Sequence, residues 1–145
     1  MHVHEYGKAY VEDFAPGAFA ADIARAAEVE LTAALHPRSG AELPIGLTLS
    51  LTDTPTGLDG EWRVSKTSFG DEVLTVVRGK ALRCLSAGFT EGRNRWHTAA
   101  RVTRLTASLD HAALVRRGAY PSARLRTAQA RHDPLQTLAR LRLLR

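Results

Sequence analysis

The run Ile45-Gly46-Leu47-Thr48-Leu49-Ser50-Leu51 places an apolar side chain at every second position. Only an extended chain sends alternate residues to one face, so the segment reads as a strand with one side buried and the other in water. Shorter segments at 7–14, 28–36, 61–67, 81–89, 101–109 and 111–116 read as further strands. Turn signals part them: Pro16-Gly17, Pro37 to Gly40, the segment DTPTGLDG at 53–60, and Tyr120-Pro121-Ser122-Ala123. Helical spacing is confined to three places. Residues 18–27 are Ala-rich with apolar groups at helical intervals. A second helix starts at Ser68 or Asp71, carries Asp71 and Glu72 in its first turn, and stops at Gly79; Val73, Leu74, Val76 and Val77 form its apolar side. In the third, Asp133 is the N-cap, Pro134 the first helical residue, and Leu135, Leu138 and Leu141 line one side. The expectation is an α+β fold: a small, mostly antiparallel β-barrel of six or seven strands with two or three flanking helices, plus a basic C-terminal helix. No 20–50-residue repeat is visible, which excludes a solenoid.

At 145 residues the chain suits a single domain with a real core. Its lone cysteine, Cys84, excludes an internal disulfide and a thiolate zinc site. No apolar run reaches the roughly 18–20 residues of a membrane span. The first ten residues lack the apolar stretch of a signal peptide. We therefore expect a soluble protein that stays where it is made.

Charge divides the chain. Residues 1–100 hold 10 Lys/Arg against 13 Asp/Glu, whereas residues 101–145 hold 10 Arg against only Asp110 and Asp133. A basic segment of this kind meets phosphates, an acidic protein, or water alone. Tyr120 is the one aromatic beyond Trp96, so there is no stacking platform for single strands and nucleic acid is a poor fit.

The six histidines (His2, His4, His36, His97, His111 and His132) show no metal-binding spacing, and no glycine-rich phosphate loop occurs. Neither a metal nor another cofactor is expected. Ser86 is more informative. It lies in Cys-Leu-Ser-Ala-Gly-Phe, where the small Ala87 and Gly88 leave room for a substrate carbonyl. A serine needs a nearby base to become nucleophilic, and His36 and His111 are candidates. Cys84 as nucleophile is the weaker alternative, since a small buried hydrophobe is its ordinary role. Trp62, Phe69 and Phe89 read as core, and His97 as a surface residue.

Four blocks then resemble, in order, those of the prohead (capsid maturation) serine proteases of tailed bacteriophages, a family related in fold to the herpesvirus assemblins. They are FAPGAF at 14–19, LHPRSGAELPIG at 35–46, GDEVLTVVRGKALRCLSAGF at 70–89 and LDHAALVRRGAYPSAR at 109–124. The resemblance covers about residues 7–125. It implies a protease domain over 1–125, followed by a basic Arg-rich tail or helix over 126–145.

Carried over by position, Ser86 is the nucleophile and His36 the general base. His111 takes the third place, where the family commonly has Glu and the assemblins a second histidine. Asp110 is the neighbouring alternative, although strand alternation points it to the other face. His36 lies in Leu35-His36-Pro37 where the family often has Asn-His-Asp. By analogy with assemblins, the turn of Arg116, Arg117 and Gly118 supplies backbone N–H groups for the oxyanion. The implied function is a serine endopeptidase that cleaves scaffold or major capsid protein, and also itself, inside the assembling prohead in the bacterial cytoplasm. A homodimer is implied by the assemblin kinship; no membrane partner is expected, and nucleic acid is not the expected partner. Beyond the matched blocks, the tail reads as a docking segment for scaffold or capsid protein, or as a target of self-cleavage. The alternative is a catalytically silent assembly factor of the same fold.

Overall fold

The alternating run lies within a strand of thirteen residues that we label β4 (Glu42–Thr54) below. The computed structural model describes residues 2–5, 8–34, 42–118, 123–130 and 137–144. In chain order the elements are β1 (His2–Glu5), β2 (Lys8–Phe14), helix α1 (Ala20–Ala24) with a 3-10 turn at Ala26–Glu28, β3 (Glu30–Ala34), β4, β5 (Gly57–Val64), helix α2 (Ser68–Arg78), β6 (Cys84–Glu91), β7 (Asn94–Thr98), β8 (Arg101–Arg104), β9 (Ala107–Val115), β10 (Arg124–Ala130) and β11 (Thr137–Leu144). The fold is thus α+β, mostly strands, with two α-helices among the described residues.

The strands form two sheets. In the larger, neighbours run β10-β11-β5-β4-β3-β9-β6, and β10 returns to β6 through one residue pair, Arg124 with Cys84. All of these pairings are antiparallel except β3 with β9. The smaller sheet runs β1-β2-β8-β7, with β2 parallel to β8.

Several expectations are corrected. The segment 53–60 is not a loop: Pro55 and Thr56 make a two-residue turn, Thr54 pairs with Gly57, and β5 begins at once. The expected strands 101–109 and 111–116 become β8 and an unbroken β9. The basic C-terminal helix is not formed: residues 137–144 are strand β11. Its register explains why. Within Ala139-Arg140-Leu141-Arg142-Leu143 the apolar residues alternate, and Ala139, Leu141 and Leu143 stand opposite Trp62, Gly60 and Leu58 of β5. Seven consecutive pairs to β5 outweigh a three-residue Leu spacing that isolated helices of this length could not sustain. The proposed N-cap Asp133 and Pro134 lie outside the described residues.

Within β4 the alternation is broken twice. Register shifts fall between Leu31 and Thr32 in the β3 ladder and between Thr48 and Ser50 in the β5 ladder. Ile45, Thr48 and Leu51 therefore face inward, while Leu47 is 58% and Leu49 38% exposed. The inward Thr48 stays satisfied because its hydroxyl donates to the Val29 carbonyl.

The core joins α2 and the turn before α1 to the larger sheet. Leu31, Trp62, Leu85 and Ala112 are fully buried, and α2 adds Val73, Leu74 and Val77. Thr67, rather than the expected Ser68 or Asp71, caps α2 by accepting the Gly70 N–H at 3.0 Å, and Gly79 closes the helix as anticipated. Phe14, Phe19 and Phe89 pack with centroids 4.9–6.4 Å apart. The turn between Phe14 and Phe19 is held by Gly17, whose φ of 74° suits glycine and whose N–H donates to Asp53 Oδ2 at 2.7 Å. In the small sheet a buried Arg104 pairs with buried Glu12 and with Glu91 at 2.5 Å. Burial disfavours the Arg104 charge, but the Glu12 hydrogen bond and charge prevail and raise its pKa above the usual arginine value. No helix among the described residues is long and apolar enough to cross a membrane.

Candidate active site

Ser86 is the third residue of β6, in register with Ala113 of β9, and Gly88 is in register with His111. In a pleated pair residues two apart share a face, so Ser86, Gly88, Ala113 and His111 line one side. Leu85, Ala112 and Leu114 turn the other way, into the core. Ser86 and His111 are thus diagonal neighbours on the outward face, a relation that places Cα atoms about 7–8 Å apart. Both are partly exposed. The core fixes the strands from behind and leaves the polar groups accessible.

Gly88 makes room for the histidine. A Cβ built there would lie 2.2 Å from His111 Cε1 and 2.6 Å from Nδ1, so the imidazole covers the bare glycine. We expect Gly88→Ala to displace the ring while costing less than about 1 kcal/mol, because the ring is at the solvent side and can swing away. Long-range 1H–15N spectra of the imidazole check this: its ring resonances should move while chemical unfolding stays near wild type. Unmoved resonances would count against the close approach.

Glu42 also meets the ring. Its Oε2 lies 3.6 Å from His111 Nε2 and accepts a hydrogen bond from Thr32 Oγ1 at 2.7 Å. Thr32 is 6% exposed and pairs with Ala113, so the serine on β6, the histidine on β9 and the acid on β4 are joined through β3, which lies between β4 and β9. Sequence reading missed Glu42. It sits inside the second of the four blocks, but nothing local marks it, because its partners come from β3 and β9.

Asp110 is the extra residue of a bulge: Gly88 pairs with His111 and Phe89 with Leu109. Alternation therefore fails at this point, and Asp110 Oδ2 accepts from Thr90 Oγ1 at 3.2 Å. The bulge is held from α1. Fully buried Asp22 accepts the Leu109 N–H at 2.9 Å and touches Ser108 and Arg25.

The other expected residues distribute as follows. His36 falls in segment 35–41, outside the described residues; Ala34 before it ends β3 and pairs with Glu42 after it. Arg116 and Arg117 are exposed and follow Val115, which pairs with Cys84. The end of β3, the end of β9 and the start of β6 therefore lie at one edge of the sheet, two residues from Ser86. Cys84 is a free, half-buried thiol. His97 is exposed on β7, with Nε2 2.9 Å from Thr103 Oγ1. Trp62 is core as expected, and Phe69 and Phe89 are partly buried against it. A shallow cavity lined by Ser50, Thr52, Asp59, Gly60 and Glu61 lies on β4 and β5, away from Ser86. Among the described residues, no three His, Cys, Asp or Glu side chains gather as metal ligands.

A serine beside an imidazole on an accessible face has the parts of acyl transfer, once a base removes the hydroxyl proton. Comparison with known proteins adds to this. A family model described as Caudovirus prohead serine protease matches residues 2–137. No curated protein and no solved structure gives a significant match.

Proposed function

This chain belongs to the caudovirus prohead serine protease family, and from that premise we propose that it is a serine endopeptidase acting on scaffold or major capsid protein within the assembling prohead, in the host cytoplasm. One observation carries the reading: Ser86 and His111 share the outward face of the β6–β9 pair, with glycine opposite the imidazole. The larger sheet, whose ends meet at Arg124 and Cys84, supports reading it as an assemblin-like barrel.

In this reading Ser86 Oγ attacks the peptide carbonyl while His36 takes its proton. His36 then gives that proton to the leaving amine, and a water repeats the sequence on the acyl-enzyme. His111 orients His36. Backbone N–H groups around Arg116, Arg117 and Gly118 receive the oxyanion; one such donor is worth about 2.7–4 kcal/mol in the transition state. The basic segment 126–145 serves as a docking element, and the enzyme works as a homodimer. A second reading, a silent assembly factor, is favoured by Pro37 and His111, where this sequence departs from the family pattern.

A fluorophosphonate probe tests the chemistry without a known substrate. It forms a Ser Oγ–P bond and breaks P–F, fluoride leaving as the hydroxyl proton passes to the base. One adduct is expected, on the peptide carrying Ser86. Absence of an adduct, or an adduct on Cys84, would contradict the proposal.

A further inference from the structure

The acid beside His111 has a place in the chemistry. Resting on the serine-hydrolase reading above, we propose that Glu42 is a positioning residue that holds His111 in the orientation and tautomer the mechanism needs.

The imidazole is confined on two sides. Gly88 lies under the ring, where a Cβ would overlap three of its atoms. The Glu42 carboxylate faces Nε2 at 3.6 Å. That carboxylate is itself held, because the buried Thr32 donates to the same Oε2 at 2.7 Å. Thr32 belongs to β3 and pairs with Ala113, the partner of Ser86, so the acid is tied to the frame that carries the nucleophile.

The chemistry follows from the two ring nitrogens. A neutral imidazole has one N–H and one lone pair, and the group facing one nitrogen decides which it is. A carboxylate facing Nε2 favours the proton there and leaves Nδ1 as an acceptor. An orienting histidine must accept the N–H of the general base, so this tautomer is the useful one. The same negative charge steadies the imidazole pair when the base becomes cationic. The 3.6 Å separation is ion-pair rather than hydrogen-bond distance, and both side chains are 38% exposed. A contact of that kind contributes little to stability, so its expected effect is on reactivity.

The test is the rate at which Ser86 takes a fluorophosphonate, read by intact mass as a function of probe concentration. Glu42→Gln keeps the size and the acceptor for Thr32 but removes the charge. Its amide can also present N–H to His111 and reverse the tautomer. We expect the limiting labelling rate to fall about tenfold to hundredfold, the scale of partners that orient an imidazole. The probe concentration giving half the limiting rate should be unchanged, and Tm should stay within about 2 °C. Glu42→Asp, which restores the charge on a shorter stem, should recover part of the rate. Labelling of Glu42→Gln at the wild-type rate, with wild type modified at Ser86, would overturn the role of Glu42 and leave the hydrolase reading standing. Wild type that takes no probe would overturn the hydrolase reading, and this role with it. Where Glu42→Gln fails to fold, Thr32→Val carries the same test: slower labelling supports the proposal and wild-type labelling overturns it.

Discussion

The Ser86→Ala chain should fold as wild type does and cleave its substrate at least about 10⁴-fold more slowly. The size follows from the role: removing a nucleophile leaves only what the oxyanion donors and substrate binding supply, and a loss of about 10⁶ is seen for such a serine. The structural side is equally definite. Ser86 is partly exposed on the outward face of β6, and its strand is held by Leu85 from the core side. Alanine keeps the backbone pairing with Ala113, so the change in stability should stay within about 0.5 kcal/mol. Cleavage rate and chemical unfolding, measured on one preparation, check both halves. A variant that unfolds early would show that the hydroxyl is structural, and undiminished cleavage would remove Ser86 from the mechanism.

The largest expected effect on stability is at Trp62. The indole is fully buried on β5, between Thr48 of β4 and Ala139 of β11, and lies against Gly60, where a Cβ would come within 2.1 Å of Cη2. Trp62→Ala should cost about 3–5 kcal/mol, from lost transfer energy and the cavity left behind. A domain of this size has about 5–15 kcal/mol in all, so much of the folded population is at risk. Trp62→Phe should cost distinctly less. Among the described residues the indole N–H is buried without a hydrogen-bond partner, and removing such a donor relieves a burden of roughly 1–3 kcal/mol while leaving a smaller cavity. Urea unfolding of the two variants decides: equal losses would show that the N–H is satisfied after all.

How much of this was legible in the chain depends on how local the signal is. Thr67 to Gly79 carries its own cap, apolar side and stop, and α2 begins one residue beyond its cap Thr67, at the earlier of the two expected caps, and stops at Gly79. The alternation at 45–51 correctly announced a strand but not its inward face. Two register shifts, invisible without the partner strands, turn Thr48 in and Leu47 out. At 137–144 two periods compete in the same letters. Pairing with β5, some eighty residues away, selects the strand, and no local propensity records that distance. The small sheet was missed for the same reason, since β2 and β8 meet across most of the chain.

The site shows the same division. Ser86 could be singled out because its small neighbours are adjacent in sequence. His36 and His111 both stand out as candidate bases, and it took the resemblance to give His111 the third place. Glu42 was beyond reach, since Thr32 and His111 reach it from two other strands. Alternation cannot place Asp110, because a bulged residue breaks the period at that point.

The central claim is that this chain hydrolyses a capsid-related protein through Ser86. Co-expression with its cognate major capsid and scaffold proteins, wild type beside Ser86→Ala, read by intact mass, tests it most directly. The account predicts a shortened capsid or scaffold protein with wild type alone, its new terminus giving the cleavage site. Full-length partners in both samples, still co-purifying with the chain, would contradict it and point to an assembly factor without catalysis.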